Sequence, residues 1–205
     1  MNLAVEIPPE PDPTLVLASG SPRRRTRLAM AGFHFDVTVP VVDESRLDGE
    51  GPTDMVLRLA AAKAAAVAAV VLDETCVLAC DTTVVLDGEA LGKPHSIDDA
   101  AAMLLRLAAR SHQVTTGYAI RPPWSDELDV GTVTSIVTMR PITPGEAEDY
   151  AESGEPLDKA GAYALQGDGG RFVETVEGSR SNVIGLPLET VVPILNSYGL
   201  SGRRS

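Results

Sequence analysis

The chain has 205 residues, 44% hydrophobic and 22% charged, enough apolar material for a sizeable core without disulfides or metal staples. A formal net charge of -12 argues against a general nucleic-acid binder, which needs a basic face, while leaving room for a small local phosphate pocket. Two cysteines and three histidines form neither a Cys-x-x-Cys pair nor an H-E-x-x-H pattern, so a structural zinc site is not expected.

Residues 1–13 have no basic n-region and no long apolar core, and their prolines predict an irregular lead rather than a signal peptide. No run of 18 apolar residues occurs, so no membrane span and a cytoplasmic location are expected. A single domain is expected over residues 14–200. "TLVLAS", 14 to 19, reads as a buried strand. "PRRRTRLAMAG" follows as a helix, with Ser21 as cap, Pro22 in its first turn and Gly32 at its end. Free backbone N–H groups at that helix start make an anion site, to which Ser19, Ser21, Arg23 and Arg24 add donors. The stretch matches neither a Walker A loop nor G-x-G-x-x-G.

"FHFDVTV", 33 to 39, alternates like a strand, and a polar loop holding Glu44 comes next. Residues 53–71 predict an Ala-rich helix. At 100° per residue, Val56, Leu59, Ala60, Val67 and Val70 form one stripe with Lys63 near its centre, and Arg58 lies opposite. Lys63 either snorkels to the helix edge or reaches over the sheet into a cleft.

"TCVLACDTTVVLDGEALGKP" reads as a strand, a turn at Asp87-Gly88 and a return strand. Cys76 and Cys80 share one face of it, too far apart to bond, and read as small hydrophobes in a reducing compartment. Asp81 stands in this apolar run, and a dry carboxylate needs a cation, either a metal or a lysine. Glu44 is the candidate second ligand; oxygen ligands without His or Cys favour Mg²⁺ or Mn²⁺. Lys93 follows the hairpin.

A helix is expected over 96–110, capped by Ser96, then strands over 112–121 and 130–139, then a helix over 143–153 capped by Thr143. In the glycine-rich stretch beyond, Lys159 adds a charge, and Tyr163 and Gln166 can contact a ring or a base edge. A short strand and a final helix close the chain. Strands and helices mixed in this order predict an α/β domain with a mixed sheet covered on both sides.

"LASGSPRRRTRL", "VVDE", "LAAAKAAAV", "CDTTVVLDGEALGKP", "MLLRLAARSHQVTTGYAI", "EPLDKAGAYALQG" and "IGLPL" together resemble Maf proteins, over residues 14 to 198 with the motifs in order. The resemblance implies a fold like that of the inosine triphosphate pyrophosphatases, a mixed twisted sheet flanked by helices with two lobes around a cleft. It implies hydrolysis of a nucleoside triphosphate to the monophosphate and pyrophosphate with Mg²⁺ or Mn²⁺, and a homodimer. Asp81 matches the family's proton acceptor, Glu44 its loop glutamate, and Lys63 and Lys93 its lysines. Arg23, Thr82 and Gln166 match the branch acting on dTTP and UTP; the Trp and Gln of the 7-methyl-GTP branch are missing. Two departures stand out: Cys80 where Ala or Gly usually precedes the Asp, and the stretch around Asn182, which is similar to the other branch and implies a broader pocket. A nucleotide-binding regulator of cell division and a house-cleaning enzyme for modified nucleotides are the alternative readings.

Overall fold

The computed structural model describes residues 14–202; the predicted lead over 1–13 lies outside the described residues. From the amino end the chain forms β1 (Thr14–Ala18), α1 (Pro22–Met30), β2 (Asp36–Thr38), α2 (Pro52–Ala68), β3 (Thr75–Leu86) and β4 (Glu89–Leu91). Then come α3 (Ile97–Leu107), β5 (Ser111–Arg121), β6 (Asp129–Met139) and α4 (Pro144–Glu152). Three short 3-10 turns lead to β7 (Val173–Glu177), α5 (Arg180–Ile184) and α6 (Leu188–Ser197).

The seven strands make one mixed sheet in the order β2-β1-β3-β5-β6-β7, with β4 folded back on β3. β1 runs parallel to β2 and β3; the remaining pairings are antiparallel. β3 is the long central strand, paired with β5 along most of its length. On its other edge it changes partner. β1 accompanies it as far as Ala79, opposite Ala18, and β4 joins it only from Val84, opposite Leu91. Residues 80–83 therefore sit at a fork in the sheet, the kind of place where α/β proteins open a ligand crevice.

Period-2 alternation along β3 decides what each side chain meets. Cys76, Leu78 and Cys80 enter a core shared with Leu28 of α1 and Val191 and Leu195 of α6. Val77 and Ala79 face Ala60, Ala64 and Val67 of α2 on the opposite side. Beyond the fork, Val84, Leu86 and Leu91 pack with α3 and α4 in a third core. The cleft lies between that core and the other two. Burial keeps both thiols protonated, pushing Cys76 up to about 12 and Cys80 up to about 11.

Local signals act as expected where the chemistry is short-range. Asp87 and Gly88 take φ of 54 and 81, the two left-handed residues of a tight hairpin turn. Ser96 accepts from the Asp99 N–H, and Thr143 forms a full capping box with Glu146. α1 ends as Gly32 and Phe33 donate to Ala29 and Leu28, a Schellman closure that seats Phe33 beside Leu28.

Other expectations need correction. Ser21 holds the capping position of α1, but its side chain makes no cap hydrogen bond. Val70 does not belong to the α2 stripe: the helix ends at Ala68 and Val70 is 74% exposed. The predicted strand over 33–39 shrinks to Asp36–Thr38. The expected closing strand is instead helix α5, because Ser179 caps it by accepting from the Asn182 N–H and Gly185, at φ 106, ends it. Strand β7, hidden behind a glycine-rich run, pairs with the edge of β6.

His112 of β5 is buried, and its Nε2 is 2.8 Å from the hydroxyl of buried Tyr163. Burial lowers its pKa from 6.5 to about 4. The unfolded chain thus takes up a proton below 6.5 that the folded chain refuses until about 4. The contribution to stability is whole above 6.5 and lost as the pH falls through the folded value. About 2 kcal/mol should disappear between about pH 7.5 and about pH 5. Urea unfolding of the parent and of His112→Gln at both pH values checks this: the variant should lose markedly less, and equal losses would contradict the assignment.

Candidate active site

The fork floors a cavity of about 1050 Å³. Asp81 has the parity of Val77 and Ala79, so it faces α2; Thr82 has the opposite parity and faces α1 and α5. From α2, Lys63 reaches down to the fork. It is 7% exposed, and its Nζ lies 2.6 Å from Asp81 Oδ1 and 2.6 Å from Glu44 Oε1. The lysine therefore reaches over the sheet rather than snorkelling outward. Gly117 of β5, opposite Asp81, permits this approach: a Cβ there would stand 2.3 Å from the Val56 carbonyl oxygen of α2.

Glu44 comes from the long connection between β2 and α2, which the outward face of α2 holds in place. Arg58 grips Glu50 with two hydrogen bonds, Nε to Oε1 at 2.5 Å and Nη2 to Oε2 at 2.8 Å, and donates to the Ser45 carbonyl. Arg58 is the main cause of the Glu50 pKa falling to about 2. Partial burial works to raise the Glu44 pKa, but the hydrogen bond and charge of Lys63, with Lys93 and Arg24 behind, hold it below the ordinary value.

Across the fork from Lys63, Arg24 of α1 is fixed by three partners. Its Nε donates to the Gly185 carbonyl at 2.8 Å, Nη2 to Thr82 Oγ1 at 3.0 Å and Nη1 to Ser19 Oγ at 3.4 Å. Ser19 Oγ also accepts from the Ser21 N–H at 3.1 Å, so Ser19 rather than Ser21 orders this turn. The result is an anion-receptive corner: a helix start, a clamped guanidinium and, on the facing wall, exposed Lys93.

On the far rim, Arg23 approaches Asp158 at 3.6 Å, and Lys159 Nζ is committed to the Glu155 carbonyl and the Asp158 carboxylate. Gln166 lines the cleft, exposed and without a hydrogen-bond partner among the described residues. All eleven residues singled out in the sequence, Ser19, Ser21, Arg23, Arg24, Glu44, Lys63, Asp81, Thr82, Lys93, Lys159 and Gln166, line this one cleft. Tyr163 differs from expectation: it is buried, and its hydroxyl is spent on His112, so it supports the wall instead of offering a polar edge. Asn182 is also not a cleft residue. It is fully buried and its amide nitrogen donates to the Val114 carbonyl and Ser135 Oγ, bracing α5 on β5 and β6.

Sequence reasoning missed Thr116, Gly117, Gly185 and the anchoring role of Arg58. Only "TTG" before Tyr118 hinted at a tight approach, and nothing local marks Gly185 as the acceptor for Arg24.

The donor set also bears on a metal. Asp81 and Glu44 offer hard carboxylate oxygens to one cationic centre, which suits Mg²⁺ or Mn²⁺ bound jointly with phosphate oxygens. Among the described residues no group of three or more His, Cys, Asp or Glu is placed to hold an ion, so the chain could supply only part of a ligand shell. No described helix is long and apolar enough to cross a membrane.

Comparison with known proteins agrees over the whole site-bearing region. The family described as Maf-like protein matches residues 14–198. A dTTP/UTP pyrophosphatase of Myxococcus xanthus is 50% identical over 186 residues, covering 91% of this chain and 93% of that protein. Those of Anaeromyxobacter dehalogenans (strain 2CP-C) and Vibrio vulnificus (strain YJ016) are 48% and 45% identical, covering 91% and 90% of this chain and 95% and 98% of their own lengths.

Proposed function

This chain belongs to the Maf family, and on that premise we propose that it hydrolyses nucleoside triphosphates to monophosphate and pyrophosphate, with dTTP and UTP preferred. The observation that carries the reading is the pairing across the sheet fork of a carboxylate centre, Asp81 and Glu44 on Lys63, with a clamped cationic corner at Arg24.

Water attacks the α-phosphorus, the bond from that phosphorus to the bridging oxygen breaks, and pyrophosphate leaves. Asp81 accepts the proton of the water: its Oδ1 is held by Lys63, while Oδ2 has no partner among the described residues. Arg24, Lys93 and the start of α1 stabilise charge growing on the phosphate oxygens. Mg²⁺ or Mn²⁺ held by Glu44 and Asp81 would, when bound, neutralise phosphate charge. Arg23, Thr82 and Gln166 are the residues assigned to base selection, on the resemblance to the dTTP and UTP branch. Gln166 offers one donor and one acceptor to the O4 and N3–H edge of uracil or thymine. We include a cytoplasmic location and a homodimer in this reading, the first on composition, the second on family resemblance.

Pyrophosphate release with dTTP, UTP, CTP, GTP and 7-methyl-GTP tests the reading. dTTP and UTP should exceed the others by roughly ten- to a hundredfold in kcat/KM. Gln166→Glu should erase most of that margin. No release with any nucleotide that binds would favour a regulatory protein, and a modified nucleotide turned over fastest would favour the house-cleaning reading.

A further inference from the structure

We propose that buried Thr116 is a positioning residue that sets the Arg24 guanidinium through Thr82, and that the same contact leaves Thr82 without a proton to offer the substrate. The inference rests on the pyrophosphatase reading and deepens it. Its basis is a run of three hydrogen bonds whose directions are fixed. Thr116 Oγ1 lies 3.2 Å from the Asn182 carbonyl oxygen and 2.9 Å from Thr82 Oγ1, which in turn lies 3.0 Å from Arg24 Nη2. A carbonyl oxygen only accepts, so the single Thr116 proton goes to Asn182. Thr116 must then accept from Thr82, and Thr82 must accept from Arg24.

Each link comes from a different element. Asn182 sits on α5, where its amide is bonded to β5 and β6, so its carbonyl is a stationary anchor. Thr116 on β5 and Thr82 on β3 are directly paired across the sheet. Arg24 receives the result at the cleft wall, with the Gly185 carbonyl of the same α5 turn fixing its Nε. Two consequences follow. Arg24 is presented to a phosphate with its plane already fixed, which spares the ordering cost at binding. Thr82, assigned to base selection, can only accept from a ligand, so a base or sugar group reaching it must be a donor.

The test compares Thr116→Val, which keeps shape and removes the hydroxyl, with Thr116→Ser, which keeps the hydroxyl. Pyrophosphate release is measured with UTP, alone and in an Arg24→Lys background. Thr116→Val should raise KM roughly tenfold, with kcat changed less, and Thr116→Ser should stay within about twofold of the parent. In the Arg24→Lys background, Thr116→Val should add almost nothing, since its effect passes through the guanidinium. A folded Thr116→Val protein with parental KM, or losses that multiply with Arg24→Lys, would overturn the proposal. If Thr116→Val does not fold, Thr82→Val, alone and in the Arg24→Lys background, decides, because it removes the middle link and leaves the Thr116–Asn182 bond intact. A KM rise that vanishes in the Arg24→Lys background supports the relay, and a parental KM or a rise of the same size in both backgrounds sinks it. Failure of the pyrophosphatase reading is recognised separately, by a parent that releases no pyrophosphate.

Discussion

Replacing Asp81 with Asn should lower kcat for pyrophosphate release by roughly a hundred- to ten-thousandfold while leaving the fold in place. The side chains have the same shape. An Asn carbonyl oxygen at the Oδ1 position can still accept from Lys63, where the parent contact is 2.6 Å. Lys63 also retains Glu44, which is 53% exposed, so no ammonium is stranded in a dry site. What Asn cannot do is take a proton from the attacking water. Melting temperatures of the two proteins should differ by no more than a few degrees, because Asp81 borders the cleft and its side chain is 14% exposed. A variant that turns over UTP at the parental rate would remove Asp81 from the chemistry. A variant that melts far below the parent would instead show the carboxylate to be a structural requirement.

Much of this site was legible because short-range chemistry announces it. A carboxylate in a run as apolar as "VLACDTTVV" needs a cation, and a lysine centred in the α2 stripe needs somewhere to go. The meeting of the two was not legible. It depends on the parity of β3 against α2, which sheet pairing fixes, and on Gly117 letting α2 approach β5. Asn182 shows the same limit from the other side. Its sequence context pointed to the pocket, but burial turned its side chain toward β5 and β6. Tyr163 sits between two cleft residues in sequence yet faces His112 in the core. In the stretch after Ser179, capping and a left-handed glycine outweighed the β-preference of Val183 and Ile184 and made a helix. Sequence patterns read well where neighbours along the chain decide the outcome, and poorly where a distant strand or helix supplies the partner.

Lys63→Met should separate activity from stability. In the parent, one ammonium bridges two carboxylates, each 2.6 Å away, so the carboxylate oxygens stand at most twice that separation apart. Without the ammonium they repel, and one must hold a proton or draw in another cation. Glu44, the more exposed of the two, also loses the partner that now holds its pKa below the ordinary value against the pull of burial. The sign of the parent's pH response follows. With a lowered folded pKa, the Glu44 contribution is whole above about 4.5 and is lost as the pH falls through the folded value; the variant should lack this acid-side loss. Packing acts the other way. Position 63 lies in a stripe with Val56, Leu59, Ala60 and Val67, where a methionine fits without the cost of burying a charge. The melting temperature near neutral pH should therefore fall, but by only a few degrees, because the packed methionine offsets part of the loss of the ion pair. Activity should fall by roughly a hundredfold or more in kcat/KM for UTP, because Asp81 is no longer oriented and the phosphates face uncompensated negative charge. Steady-state kinetics and thermal melts on one preparation decide the matter. Parental kcat/KM in Lys63→Met would mean that the lysine only fills space, whereas a large drop in melting temperature would mean that the ion pair holds the fork together.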